Sequence, residues 1–115
     1  MEVLISVSEE FKSQFKKLSK RHKSLKSDIQ ELREKLKANP DLGTELFPNV
    51  RKVRLAIKSK GKGKSGGARI ITYKCSYQDN NKCEISLLTI YDKSEISNVS
   101  DKYIKYLINL FMSES

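Results

Sequence analysis

Histidine is almost absent from this 115-residue chain, His22 being the single one. That excludes a ribonuclease built on a histidine pair, and one isolated imidazole is a poor start for a zinc site. Cysteine is scarce as well. Cys75 and Cys83 fall within one apparent hairpin and read as reduced strand residues, neither a disulfide framework nor half a metal site. No apolar run exceeds a few residues, which leaves no membrane span. The opening "MEVLISVSEEFK" is too short and too acidic for a secretory signal, so the expected location is cytoplasmic, without a membrane partner. Nothing in the chain asks for a cofactor.

Acid is missing altogether from residues 46–78. That segment carries Arg51, Lys52, Arg54, Lys58, Lys60, Lys62, Lys64, Arg69 and Lys74, nine cations that equal the formal net charge of +9. The rest of the chain is balanced, with 14 basic and 14 acidic residues. A field gathered into one segment is the footprint of a polyanion partner.

What is present suffices for one domain (1–115) with a modest core, at 37% hydrophobic residues. "EVLIS" (2–6) suits a strand. Ser6 and Glu9 then have capping-box spacing, with Ser8 competing as the cap. Phe11, Phe15 and Leu18 form one helical stripe, and Leu25, Ile29, Leu32 and Leu36 a second. The polar "SKRHKS" separates them, and Pro40 and Gly43 enforce a stop, which predicts an antiparallel helical hairpin. Asp28, Glu31 and Glu34 are placed for helical ion pairs.

Beyond residue 49 the period changes to two. In "NVRKVRLAIK", Val50, Val53, Leu55 and Ile57 nearly alternate with Lys52, Arg54 and Lys58, the pattern of a half-buried strand with a cationic outer face. "ARIITYKCSY" (68–77) and "CEISLLTIY" (83–91) are rich in β-branched and aromatic residues, and "QDNNK" between them supplies a hairpin turn. A final helix with a cap at Ser100 presents Tyr103, Ile104, Leu107 and Ile108 on one face. The predicted order is β-α-α-β-β-β-α. The class is α+β, a small antiparallel sheet of about four strands with helices packed on one face.

The stretch "GKGKSGGARIITY" (61–73) invites a nucleotide reading and fails it. A phosphate-binding loop needs a glycine five positions before Gly63, where Lys58 stands, and must open a helix rather than a strand. It reads instead as a cationic connection. Its glycines allow close approach to a ligand, and Lys58, Lys60, Lys62 and Lys64 alternate so that an extended backbone would project them to one side as a comb.

The helical hairpin, "NPDLG" (39–43), "KVR" (52–54), "GKSGGARIITY" (63–73) and "LLTIYDKSE" (87–95) before a helix together resemble the RelE/HigB superfamily of bacterial toxins, in particular its HigB-like branch. The resemblance spans roughly residues 3–108. It implies a RelE-like sheet with two helices on one face and an open basic face. It also implies ribosome-dependent endonucleolytic cleavage of messenger RNA, contacts with ribosomal RNA, and neutralisation by a cognate antitoxin. By the same resemblance Lys52 and Arg54 match basic positions of the second strand, Arg69 the arginine opening the third, and Lys93 a basic residue after the last.

Such a site cuts RNA without metal if the 2′-OH attacks its own phosphate. That reaction needs a proton acceptor, cations for the phosphorane oxygens, and a donor for the leaving 5′-oxygen. Arg54 and Arg69 suit the clamp, and Lys52 or Lys93 the proton transfer. Weak bases would cleave free RNA slowly, which fits pre-orientation of the messenger on the ribosome. Lys58, Lys60, Lys62, Lys64 and Tyr91 are RNA-binding candidates, Tyr91 by stacking. The sequence leaves the proton donor unassigned. A basic RNA- or ribosome-binding module that blocks translation without cutting, or an interaction protein with an acidic partner, would share the cationic face.

Overall fold

The computed structural model describes residues 2–77 and 81–113. Its elements are β1 (Glu2–Val7), α1 (Glu9–Arg21), α2 (Leu25–Ala38), β2 (Thr44–Phe47), β3 (Val50–Leu55), β4 (Ala68–Tyr77), β5 (Lys82–Asp92) and α3 (Asp101–Ser113), with a 3-10 turn at Lys58–Lys60. Residues 78–80 of the expected "QDNNK" turn lie outside the described residues.

Of the two serines competing to start α1, Ser8 wins. Its Oγ accepts the Phe11 N–H at 3.0 Å and donates to the Leu88 carbonyl at 2.7 Å, so one hydroxyl caps the helix and ties it to the sheet. Such caps contribute about 1 kcal/mol. Ser6 donates instead to Glu84 at 2.8 Å. The stripe residues of both helices fall where their periodicity puts them: Phe11, Leu18, Leu25, Ile29, Leu32 and Leu36 are all buried. Gly43, at φ +101°, lets the chain press against β3, since a Cβ there would stand 2.6 Å from the Lys52 carbonyl oxygen.

The sheet runs β1-β5-β4-β3-β2. The expectation of about four antiparallel strands is corrected on two counts: there are five, and β1 pairs with β5 in parallel, Glu2 opposite Lys82 through Val7 opposite Leu87. The helical hairpin carries the chain over the sheet and gives β1 the long crossover that parallel pairing demands. The additional strand, β2, folds back on β3 through a turn with Asn49 at φ 69°.

The helices are also not confined to one face. Val53 and Leu55 point toward α1 and α2 and join Ile70, Ile85, Leu87 and Ile90 in the larger core cluster. By strand alternation Val50, Lys52 and Arg54 point the other way. There α3 lays Ile104 against Val50, Ile71 and Leu88 in a second cluster. A bulge, where the pairing shifts between Ile71 and Thr72, places Leu88 on that face. The connection 93–100 gives the chain the slack to cross over, and Ser100 caps α3 by accepting the Tyr103 N–H at 3.1 Å.

Candidate nucleic-acid interface

Strand register builds the site. Arg54 stands opposite Arg69, and Arg69 opposite Tyr91, so the three form one rung across β3, β4 and β5 on the face that α3 shares. Lys52, opposite Ile71, belongs to the adjacent rung. Lys93 continues past β5, its N–H bonded to the Gly67 carbonyl at 3.0 Å. Of the four residues matched by resemblance to catalytic positions, Lys52, Arg54 and Arg69 therefore share one sheet face, and Lys93 follows directly on the end of β5 beside it.

Two arginines directly opposite one another repel. The fold separates their environments. Arg54 is exposed, whereas Arg69 is only 6% exposed and donates from one guanidinium nitrogen to the carbonyls of Lys64 (2.8 Å) and Ala68 (3.2 Å). Gly67 makes this possible. A Cβ on Gly67 would lie 2.0 Å from the Leu55 carbonyl oxygen, so only glycine lets the loop close onto β3 and carry Lys64 to Arg69.

The structure sorts the nine cations of residues 46–78. Arg51 pairs with Asp41 and Glu45, Lys74 with Asp41, Lys58 with Glu31 and Lys60 with Asp92. Among the described residues, Lys52, Arg54, Lys62, Lys64, Arg69 and the nearby Lys93 make no carboxylate ion pair. Two of these six are held by neutral oxygens of the 93–100 connection. The Lys52 ammonium donates to the Asn98 side-chain carbonyl at 2.9 Å, and the Lys93 ammonium to the Ser97 backbone carbonyl at 2.9 Å. The segment from Ser94 to Asn98 thus straps across the cationic face. Lys52, Arg54 and Lys64 also line a groove of about 390 Å³ between α2 and β3, floored by Leu32, Val53 and Leu55.

The lysine comb is not formed. The 3-10 turn at Lys58–Lys60 and the left-handed Gly61 (φ 73°) break the alternation. Lys58 turns to Glu31, holding that carboxyl below its usual range, and Lys60 turns inward, leaving Lys62 and Lys64 exposed. Tyr91, 4% exposed, offers no open ring for base stacking. Asp28, expected in a helical ion pair, is buried instead. It accepts the Ser24 hydroxyl at 2.7 Å and the Lys58 N–H at 3.2 Å, fastening α2 to the turn.

Sequence reasoning missed the anchor beneath the loop. Asp92, 4% exposed, accepts the Lys60 ammonium at 2.6 Å and the Ser94 N–H at 2.9 Å. His22 Nε2 lies 3.3 Å from its other oxygen, too poorly aligned for a hydrogen bond. Burial pushes the Asp92 carboxyl up, but Lys60 and the Ser94 amide outweigh it and hold the group below its usual range. This anchor fixes the start of the glycine loop against the residue before Lys93. The one available signal was the acid in "YDK", which ends seven acid-free residues of strand.

No protein-family model matches the chain. A solved structure of similar fold is that of the E. coli toxin RelE, an arginine-to-alanine double mutant in the free state. It superposes with a TM-score of 0.55 and 10% sequence identity over 84% of this chain and 90% of that one. The fold is therefore RelE-like: α+β, with three helices and a five-stranded mixed sheet. No helix among the described residues is long and apolar enough to cross a membrane.

Proposed function

We propose that this chain is the toxin of a toxin–antitoxin pair, of the HigB-like kind, and that it cleaves messenger RNA on the ribosome. The observation that carries this reading is the gathering of cations without carboxylate partners, Lys52, Arg54, Lys64, Arg69 and Lys93, on and beside one face of a RelE-like sheet. Four other cations of residues 46–78, Arg51, Lys58, Lys60 and Lys74, are paired with carboxylates. Unpaired cations held together repel one another and favour a polyanion that neutralises them.

In the proposed reaction the exposed Arg54 and the buried Arg69 flank the scissile phosphate and stabilise the charge that develops on it. Lys52 or Lys93, each released from its neutral oxygen partner, takes the 2′ proton. Lys62 and Lys64 hold the messenger backbone or ribosomal RNA alongside. An acidic antitoxin segment would compete for the same cations.

The test is in vitro translation of a defined messenger with purified protein, wild type beside Lys52→Ala. Translation arrest with shortened messenger in the wild type, lost in the variant, supports the proposal. Arrest with intact messenger identifies a binding module, and uninterrupted translation removes the support for a toxin.

A further inference from the structure

One buried polar group on the basic face has no hydrogen-bond partner among the described residues. The Tyr91 hydroxyl is buried and makes no hydrogen bond, although Tyr91 stands directly across from Arg69 on the rung that also holds Arg54. Buried polar groups are rarely left unpaired, and one that is calls for an explanation, because desolvating a hydroxyl without a partner is costly. The contrast with Tyr103 is direct: that hydroxyl, also part-buried, donates to Glu10 at 3.2 Å.

Three features define what would satisfy Tyr91. Its position faces a guanidinium whose present acceptors are two backbone carbonyls and no carboxylate. The strap above the face is held to Lys52 and Lys93 through neutral oxygens, which a phosphate oxygen would outcompete. Burial pushes the phenol up, only partly offset by the nearby Arg69 charge, so the group keeps its proton at neutral pH. A protonated O–H without an acceptor, on the same rung as an arginine, is a donor suited to an oxygen that is gaining negative charge.

We infer that Tyr91 is the proton donor of the site, delivering its phenolic proton to the 5′-oxygen that leaves the scissile phosphate. The inference rests on the cleavage reading above and supplies the role that the sequence left empty. In the step, the 2′-oxygen forms a bond to phosphorus and gives its proton to the lysine base. The bond from phosphorus to the 5′-oxygen breaks, and that oxygen takes the Tyr91 proton. The products are a 2′,3′-cyclic phosphate and a free 5′-hydroxyl, and the phenolate recovers a proton from water.

The experiment compares wild type with Tyr91→Phe in single-turnover cleavage on ribosomes. One messenger is ordinary, and the other carries sulfur in place of the bridging 5′-oxygen at the cleaved position. A thiolate leaves without protonation. Removing a hydroxyl that has no partner leaves the folded state intact, and a thermal midpoint equal to or above that of the wild type confirms it. The expected result is a fall of about 100-fold or more on the ordinary messenger, the usual contribution of a general acid, and recovery to within a few-fold of wild type on the sulfur-containing one. Equal cleavage of the ordinary messenger by both proteins overturns the assignment while leaving the nuclease reading standing. Equal slowing on both messengers also overturns it, by making Tyr91 a positioning residue. A wild type that arrests ribosomes but cuts neither messenger overturns the nuclease reading itself, and the assignment with it.

Discussion

Replacing Lys60 with methionine should destabilise the protein more than any other single change among its lysines. The substitution keeps the volume and the apolar stem but removes the ammonium 2.6 Å from Asp92, whose side chain is 4% exposed. Breaking a buried pair from one side costs about 3–5 kcal/mol, because the remaining charge stays desolvated without its partner. With a denaturant slope of roughly 2 kcal/mol per molar urea for a domain of this size, the midpoint should fall by about 1.5–2.5 M. Asp92→Asn should also destabilise, and the double variant should recover part of the loss, giving a coupling measurable by a double-mutant cycle. The pH dependence has a definite sign. The Asp92 carboxyl sits below its ordinary value of 3.8, so its stabilisation is fully present above that value and lost as pH falls through the lower folded one. Lys60→Met should abolish that increment. Urea unfolding monitored by circular dichroism at pH 7 and at pH 3 provides the test. A shift under 0.5 kcal/mol in Lys60→Met would refute the argument that this pair, and not apolar packing alone, anchors the loop.

Further outcomes follow from the same geometry. Gly67→Ala should lose about 1–3 kcal/mol by overpacking against the Leu55 carbonyl and should also weaken RNA binding, since it displaces Lys64 from Arg69; unfolding and binding titrations check the two effects separately. Leu36→Ala, at a fully buried position facing away from the basic face, should cost about 2–5 kcal/mol while leaving RNA affinity of the folded protein unchanged. Affinity for single-stranded RNA should fall with salt at a log–log slope of roughly −3.5 to −4, as expected if five or six unpaired cations each neutralise a phosphate. Asn98→Ala frees the Lys52 ammonium and should raise RNA affinity about two- to five-fold in the same titration; a loss instead would mean that the strap orders the site rather than covering it.

The parts of the fold legible in the sequence are those set by short-range pattern. The stripes through Phe11, Leu18, Leu25 and Leu36, the alternation at Val50–Leu55 and the cap at Ser100 each need no more than a dozen residues to declare themselves. The parallel pairing of β1 with β5 joins Glu2 to Lys82, and nothing within "EVLISV" encodes so distant a partner. β2 is four residues long and carries Pro48 at its end, too little for a strand pattern. The side of the sheet taken by α3 depends on the bulge at Leu88, where two neighbouring residues share one face and defeat simple alternation.

The candidate site divides along the same line. Lys52, Arg54, Arg69 and Lys93 were proposed from the family resemblance, and strand parity puts the first three on a common face. Which cations are spent on structure was hidden. Glu31, Asp92 and Asp41 lie 27 to 33 residues from the lysines they neutralise, and tertiary contacts alone decide those pairings. The burial of Tyr91 was hidden for the same reason. A tyrosine ending an apolar strand reads equally as core, edge or stacking platform.

If the unpaired cations of this face engage and cut messenger RNA held by the ribosome, as proposed above, each cut leaves a new messenger end. Nucleotide-resolution mapping of messenger 5′-ends tests that proposal most directly. Wild type and Arg69→Ala would each be incubated with translating ribosomes and, separately, with the same RNA free in solution. The account predicts new 5′-hydroxyl ends on ribosome-bound messenger with wild type alone, and little cleavage of free RNA. Ribosome-bound messenger left intact by the wild type, or cut equally well by Arg69→Ala, would contradict it.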